Sequence, residues 1–128
     1  MNENKIVVRL KDKTLMKGTT SDVVMKERYF NMKLLSGDVI PVDVKKVKAV
    51  FYVKTFDGNR NYKCLYKDII PWGGEKVKIK FFDGEEMIGY SPNHLKGRFG
   101  FFVTPADLLC NNKKVFVATS STEEIKFI

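Results

Sequence analysis

The chain is short of the residues that most catalytic and metal centres use. Its 128 residues contain one histidine, one tryptophan, two cysteines and four prolines. Cys64 and Cys110 lie far apart with no C-x-x-C spacing, so neither a zinc knuckle nor a disulfide framework is written in the sequence, and free thiols are expected. No stretch approaches 18 consecutive apolar residues, because a charged side chain interrupts each candidate run, which excludes a spanning helix. Asn2 to Arg9 offers no apolar segment of export-signal length, and a soluble, cytoplasmic protein is expected. G-x-G-x-x-G, Walker, G-x-S-x-G and H-E-x-x-H patterns are all absent. His94, in the loop Ser91 to Gly97, has no identifiable orienting acid, and the adjacent pairs Glu85-Glu86 and Glu123-Glu124 point to opposite faces of a strand. A non-catalytic protein needing no metal or cofactor is the expectation.

Apolar stripes of helical period are missing too, so helix content should be small. Instead Ile6, Val8 and Leu10 alternate with Val7, Arg9 and Lys11, the period of a half-buried strand. Asp12-Lys13 turns the chain into a second strand over 14–20. Phe30, Met32 and Leu34 mark a third, and Ser36-Gly37-Asp38 turns into a fourth over 39–44. Val47, Val50 and Tyr52 imply a brief 3₁₀ turn and a fifth strand.

The pattern then recurs. Lys5 to Gly18 aligns without a gap on Lys76 to Gly89, with Lys5/Lys76, Asp12/Asp83, Met16/Met87 and Gly18/Gly89 identical at an offset of 71 residues. Phe30/Phe101 stays in phase, and Ile40/Val115, Val42/Val117 and Val50/Ile125 match at an offset of 75. The four extra residues fall within Thr104 to Lys113, a turn-rich stretch that tolerates insertion. Internal duplication follows. The expected architecture is all-β, two tandem five-stranded small barrels over 1–53 and 76–128 with a linker over 54–75 that could hold a hairpin at Asp57-Gly58. Gly18 and Gly89 should mark bends that such barrels need.

Val8 to Asp12 with Gly18, and Ile79 to Asp83 with Gly89, carry the pattern of the Sm-like and SH3-like small barrels, which each unit resembles. The whole chain is similar to an uncharacterised bacterial family of tandem small β-barrels, on the stretches Phe51 to Tyr62, Phe101 to Asp107 and Asn111-Asn112. The Sm-like resemblance implies RNA binding through an Asp and a later Asn after strand two and a basic-Gly pair after strand four. Asp22 lies early, the Asn is missing and neither unit has the basic-Gly pair, so those residues do not carry over. Cyclic-dinucleotide barrels need an R-x-x-x-R clamp, which is also missing.

Net charge is +8, and it is uneven. Residues 1–71 hold 15 Lys+Arg against 8 Asp+Glu, a net +7, whereas 72–128 are nearly neutral. Lys45, Lys46, Lys48, Lys54, Arg60, Lys63 and Lys67 share one stretch with Asp57 as its only acid, and Tyr62 is among the interleaved aromatics. Cations for phosphates and rings for bases are the single-strand recipe, so 45–67 is a candidate surface for RNA or single-stranded DNA. The same residues also fit a solvated strand face. The leading expectation is a binding module for a protein or peptide partner, using strand edges and the aromatic segment Arg98, Phe99 and Phe102, where Phe102 should face opposite to Phe99 and Phe101. Homo-oligomerisation through shared edges is the third reading.

Overall fold

Two-residue alternation sets the strands. In the computed structural model, which describes residues 4–21, 27–57, 62–71, 74–91 and 99–128, Ile6 and Val8 of β1 (Asn4–Leu10) are fully buried while Val7 and Arg9 are partly exposed. The chain continues through β2 (Leu15–Thr20), β3 (Tyr29–Leu34), β4 (Val39–Asp43), a 3₁₀ turn at Val44–Lys46 and β5 (Val47–Val53). After the linker come β6 (Glu75–Phe81), β7 (Glu86–Ser91), β8 (Gly100–Pro105), β9 (Asn112–Ala118), a second 3₁₀ turn at Thr119–Ser121 and β10 (Thr122–Phe127). The five strands expected in the first half are all present, with the 3₁₀ turn where it was expected.

The expected pair of closed barrels gives way to a different arrangement. All ten strands form one antiparallel sheet that is not closed, in the order β10-β6-β7-β8-β9-β5-β1-β2-β3-β4. Numbered within each half, the order reads fifth, first, second, third, fourth in both. The halves join where β5 pairs with β9, Val50 opposite Phe116 and Phe51 opposite Val115. A strand edge has unpaired N–H and C=O groups along its length, and joining the two halves edge to edge satisfies both rows.

Local backbone geometry recurs with the sequence. Lys13 N–H donates to Leu10 C=O as Gly84 does to Phe81, at 3.0 and 2.9 Å, and both turn residues adopt positive φ, 74° and 92°. Asp12 and Asp83 each accept from the N–H two residues on, the local bond that favours this turn. Lys11 N–H reaches Lys46 C=O just as Phe82 reaches Ser121. At Gly18 and Gly89 a Cβ would overlap the carbonyl of Lys33 or of Thr104, so the missing side chain lets the third strand cross close to the second. Pairing there is brief, Gly18↔Leu34 and Thr19↔Lys33 in one half and Gly89↔Pro105 and Tyr90↔Thr104 in the other.

Two large apolar clusters fill the fold beside a smaller one of Ile70, Tyr90 and Ala106, and each of the large ones borrows from the other half. Ile6, Val8, Met32 and Val50 pack with Phe116 and Ala118 of β9. Val77, Ile79, Phe81 and Val103 pack with Ala49 of β5. Among the described residues no helix is long and apolar enough to cross a membrane.

Candidate functional site

The segment between β5 and β6 and the loop 106–111 between β8 and β9, within which the sequence comparison placed four extra residues, meet in space. Residues 62–70 form an irregular strap outside the sheet, with Tyr66 at a positive φ of 54°, and its side chains alternate: Tyr62, Cys64, Tyr66 and Asp68 turn inward, Lys63, Leu65, Lys67 and Ile69 outward. Each inward residue has a partner. Tyr62 Oη donates to Asp107 Oδ1 and Oδ2 at 2.7 and 2.6 Å. Cys64 is disulfide-bonded to Cys110, with Cα atoms 5.7 Å apart. Tyr66 packs against the second cluster, and Asp68 accepts from Leu108 N–H at 2.7 Å while donating its own N–H to Ala106 C=O at 2.8 Å.

The free thiols expected from sequence are thus corrected to a disulfide. Cysteines 46 residues apart carry no spacing signal, and only the folding of the linker over the insertion brings them together. Asp107, 4% exposed, organises the loop. Burial pushes its carboxyl up, but the Tyr62 hydroxyl and the N–H groups of Leu65, Leu109 and Cys110 outweigh that and hold it below the ordinary carboxylate range. The same bond to Asp107, helped by burial, pushes the Tyr62 phenol up to about 12. Asn111 closes the far end, accepting from Thr55 N–H at 3.2 Å and donating to Thr55 C=O at 2.9 Å.

Outside this anchoring lies an exposed apolar surface. Leu65 and Ile69 are 57% and 78% exposed, and Leu108 and Leu109 of the insertion are 49% and 78% exposed. Lys63 and Lys67 alternate with the strap's two apolar residues.

The basic stretch 45–67 does not form one surface. Lys45 and Lys46 are exposed in the 3₁₀ turn at the end of β4. Lys48, by contrast, is buried at the junction of the halves, with its ammonium 2.7 Å from Asp83, paired with Glu85, and 4.7 Å from the Phe81 ring centre. Lys54 donates to Leu108 C=O at 2.8 Å, and Tyr62 is committed to Asp107. Lys63 and Lys67 belong to the strap. Arg60, Asp22, His94 and Arg98 lie outside the described residues, as does Gly58 of the expected Asp57-Gly58 hairpin.

Phe99 and Phe102 both pack against the first cluster, and Phe102 meets Tyr52 and Phe116 edge-on at 5.7 and 5.5 Å between ring centres. Phe101 faces the second cluster. The alternation between Phe101 and Phe102 was legible, whereas the side taken by Phe99, which precedes the strand, was not. Among the described residues no group of three or more His, Cys, Asp or Glu side chains could hold a metal.

The chain is therefore an all-β protein built on one open ten-stranded sheet, with a disulfide-pinned strap as its most developed surface feature. Residues 2–128 match a family of unknown function, DUF6982, and the chain belongs to that family. No curated protein matches it. No solved structure matches it either.

Proposed function

We propose that the protein is a non-catalytic binding module whose partner is an acidic polypeptide with interspersed apolar residues, docked along the outer face of the strap 62–70. The observation that carries this is the outward series Lys63, Leu65, Lys67 and Ile69 on a segment whose inward side is fixed by a disulfide, a buried carboxylate and backbone hydrogen bonds. Preorganisation of this kind lowers the entropy lost on docking. Exposed leucine and isoleucine supply apolar contact, and the alternating lysines select for negative charge and raise the association rate. Strand addition at the sheet edges is less well supported, since Pro41 sits in β4 and Glu123, Glu124 and Lys126 crowd β10.

The scaffold for this surface reads as an internal duplication of a five-stranded unit resembling the Sm-like fold, spanning 1–53 and 76–128. The repeated strand order, the repeated turn bonds and the matched glycine crossings support that reading. In it, linker and insertion are later additions that created the strap.

Affinity purification from native extract tests the function, with nuclease present, comparing the wild type with Leu65→Asp/Ile69→Asp. A nuclease-resistant partner retained by the wild type and lost from the variant is expected. An unchanged partner set, or one that disappears on nuclease treatment, overturns the reading.

A further inference from the structure

A second surface, independent of the strap reading, lies where β1 begins, β5 ends and β9 begins. Asn4, Lys5, Tyr52, Thr104, Lys113 and Lys114 line most of an open pocket of about 390 Å³, with Val53 and Leu108 completing it. Three of its lining side chains are cationic and none is acidic. Among the described residues Lys5, Lys113 and Lys114 form no ion pair, whereas Lys78 and Lys80, on β6 of the second half, are paired with Glu86 and Glu123 at 3.5 and 3.2 Å. Lys113 and Lys114 are therefore left for an external anion.

The Lys5 ammonium lies 5.9 Å from the ring centre of Phe56, a residue outside the pocket lining, whereas that of Lys114 is held within it. The Lys114 ammonium sits 4.8 Å from the Tyr52 ring centre and 4.7 Å from that of Phe102, two rings that meet edge to face. A cation held over ring faces keeps its three N–H donors and loses less rotamer freedom when an anion arrives. The rings themselves are unsuited to stacking a base, since Tyr52 is only 4% exposed and Lys114 covers it.

We infer that this pocket binds a phosphate group, with Lys113 and Lys114 as its ligands. Compact lysine ammoniums suit a phosphate as point charges. The phosphate could belong to a small polyphosphate or to a nucleic-acid backbone, the chemistry being shared. The segment singled out by composition, 45–67, is not where this reading places the contact.

The test uses the full chain in 50 mM salt with two probes, tripolyphosphate followed by calorimetry and a fluorescein-labelled dT₂₀ followed by anisotropy. Lys113→Ala/Lys114→Ala is compared with Lys45→Ala/Lys46→Ala, which removes the same charge elsewhere, and thermal melts establish that both variants are folded. The pocket variant is expected to lose at least tenfold in affinity for whichever probe binds, and the control less than twofold, with binding falling steeply as salt rises. Binding of tripolyphosphate and its displacement of the oligonucleotide identifies a compact phosphate ligand, while binding of the oligonucleotide alone identifies a backbone. Equal losses in the two variants would reduce the effect to net charge and overturn the inference, as would failure of both probes to bind.

Discussion

Lys48 offers the sharpest energetic test, because the three charges at the junction differ in their access to water. Its side chain is 6% exposed, whereas those of Asp83 and Glu85 are 36% and 48% exposed. Removing the lysine leaves two carboxylates that water can reach, and removing the carboxylates strands an ammonium that water cannot. Lys48→Met should therefore cost no more than about 1 kcal/mol, since a buried ion pair exchanged for an apolar side chain is close to neutral. Asp83→Asn/Glu85→Gln should cost about 3 kcal/mol, the lower end for an uncompensated buried charge, because the Phe81 ring still faces the ammonium. That corresponds to a fall of about 10 °C in melting temperature for a domain of this size. Adding Lys48→Met to the double variant should restore most of the loss. The pH dependence has a definite sign. The bond to Lys48 holds Asp83 below its ordinary value. Its contribution is present above the unfolded-state value of about 3.9 and fades as pH falls through the lower folded one, so the gap between wild type and double variant should close only in acid. Guanidinium unfolding of all four proteins provides the measurement. If Lys48→Met costs as much as the carboxylate variant, or the triple variant gains nothing, the solvation argument is wrong.

Reducing the Cys64–Cys110 disulfide should destabilise the protein by 2 to about 4 kcal/mol, the upper figure being the chain-entropy value for a loop of the 46-residue separation. Calorimetric melts with and without reductant measure this, and unchanged melts would mean that the loop is held by the Asp107 network alone. Tyr62 should titrate near 12 in the native protein, followed by phenolate absorbance at 295 nm, and should fall toward an ordinary phenol in Asp107→Asn. Because its folded value is raised, the bond stabilises the protein fully below pH about 10 and is lost as pH rises through 12.

What could be seen in the sequence was whatever depends on neighbours along the chain. Alternation at Ile6, Val8 and Leu10 and the Asp12 and Asp83 turns are local requirements, and each is met at the position that the sequence marks. The features that composition misjudged depend on distant partners. Lys48 looks like any strand lysine until β5 meets the second half and its ammonium finds two acids 35 and 37 residues away. Cys64 and Cys110 gain a bond only once the strap has folded over the insertion. The expectation of two separate barrels failed for the same reason, since edge pairing uses backbone groups that all residues but proline have in full and leaves little side-chain signature.

One residue nevertheless shows why β9 is an interior strand and β4 an outer one. Thr119 N–H bonds to Phe99 C=O, so with Phe102 opposite Phe116 the alternation of an antiparallel ladder turns the Phe116 N–H away from β8 and toward β5. In the first half Val44 N–H bonds to Arg28 C=O and Leu34 N–H to Asp38 C=O, which makes Asn31↔Pro41 the non-bonded kind of pair and turns the Pro41 nitrogen to the open edge. Pro41 and Phe116 occupy matching places at the offset of 75. Where the interior junction has a donor opposite Val50, the outer edge has a ring nitrogen with nothing to give. The opposite edge is closed by charge instead, with Glu123 and Glu124 of β10 at the places that buried Lys48 and Ala49 take in β5. A proline costs β4 none of its bonds to β3, and exposed carboxylates cost β10 little, so the chain blunts both ends of a sheet whose middle is joined by an otherwise identical pairing.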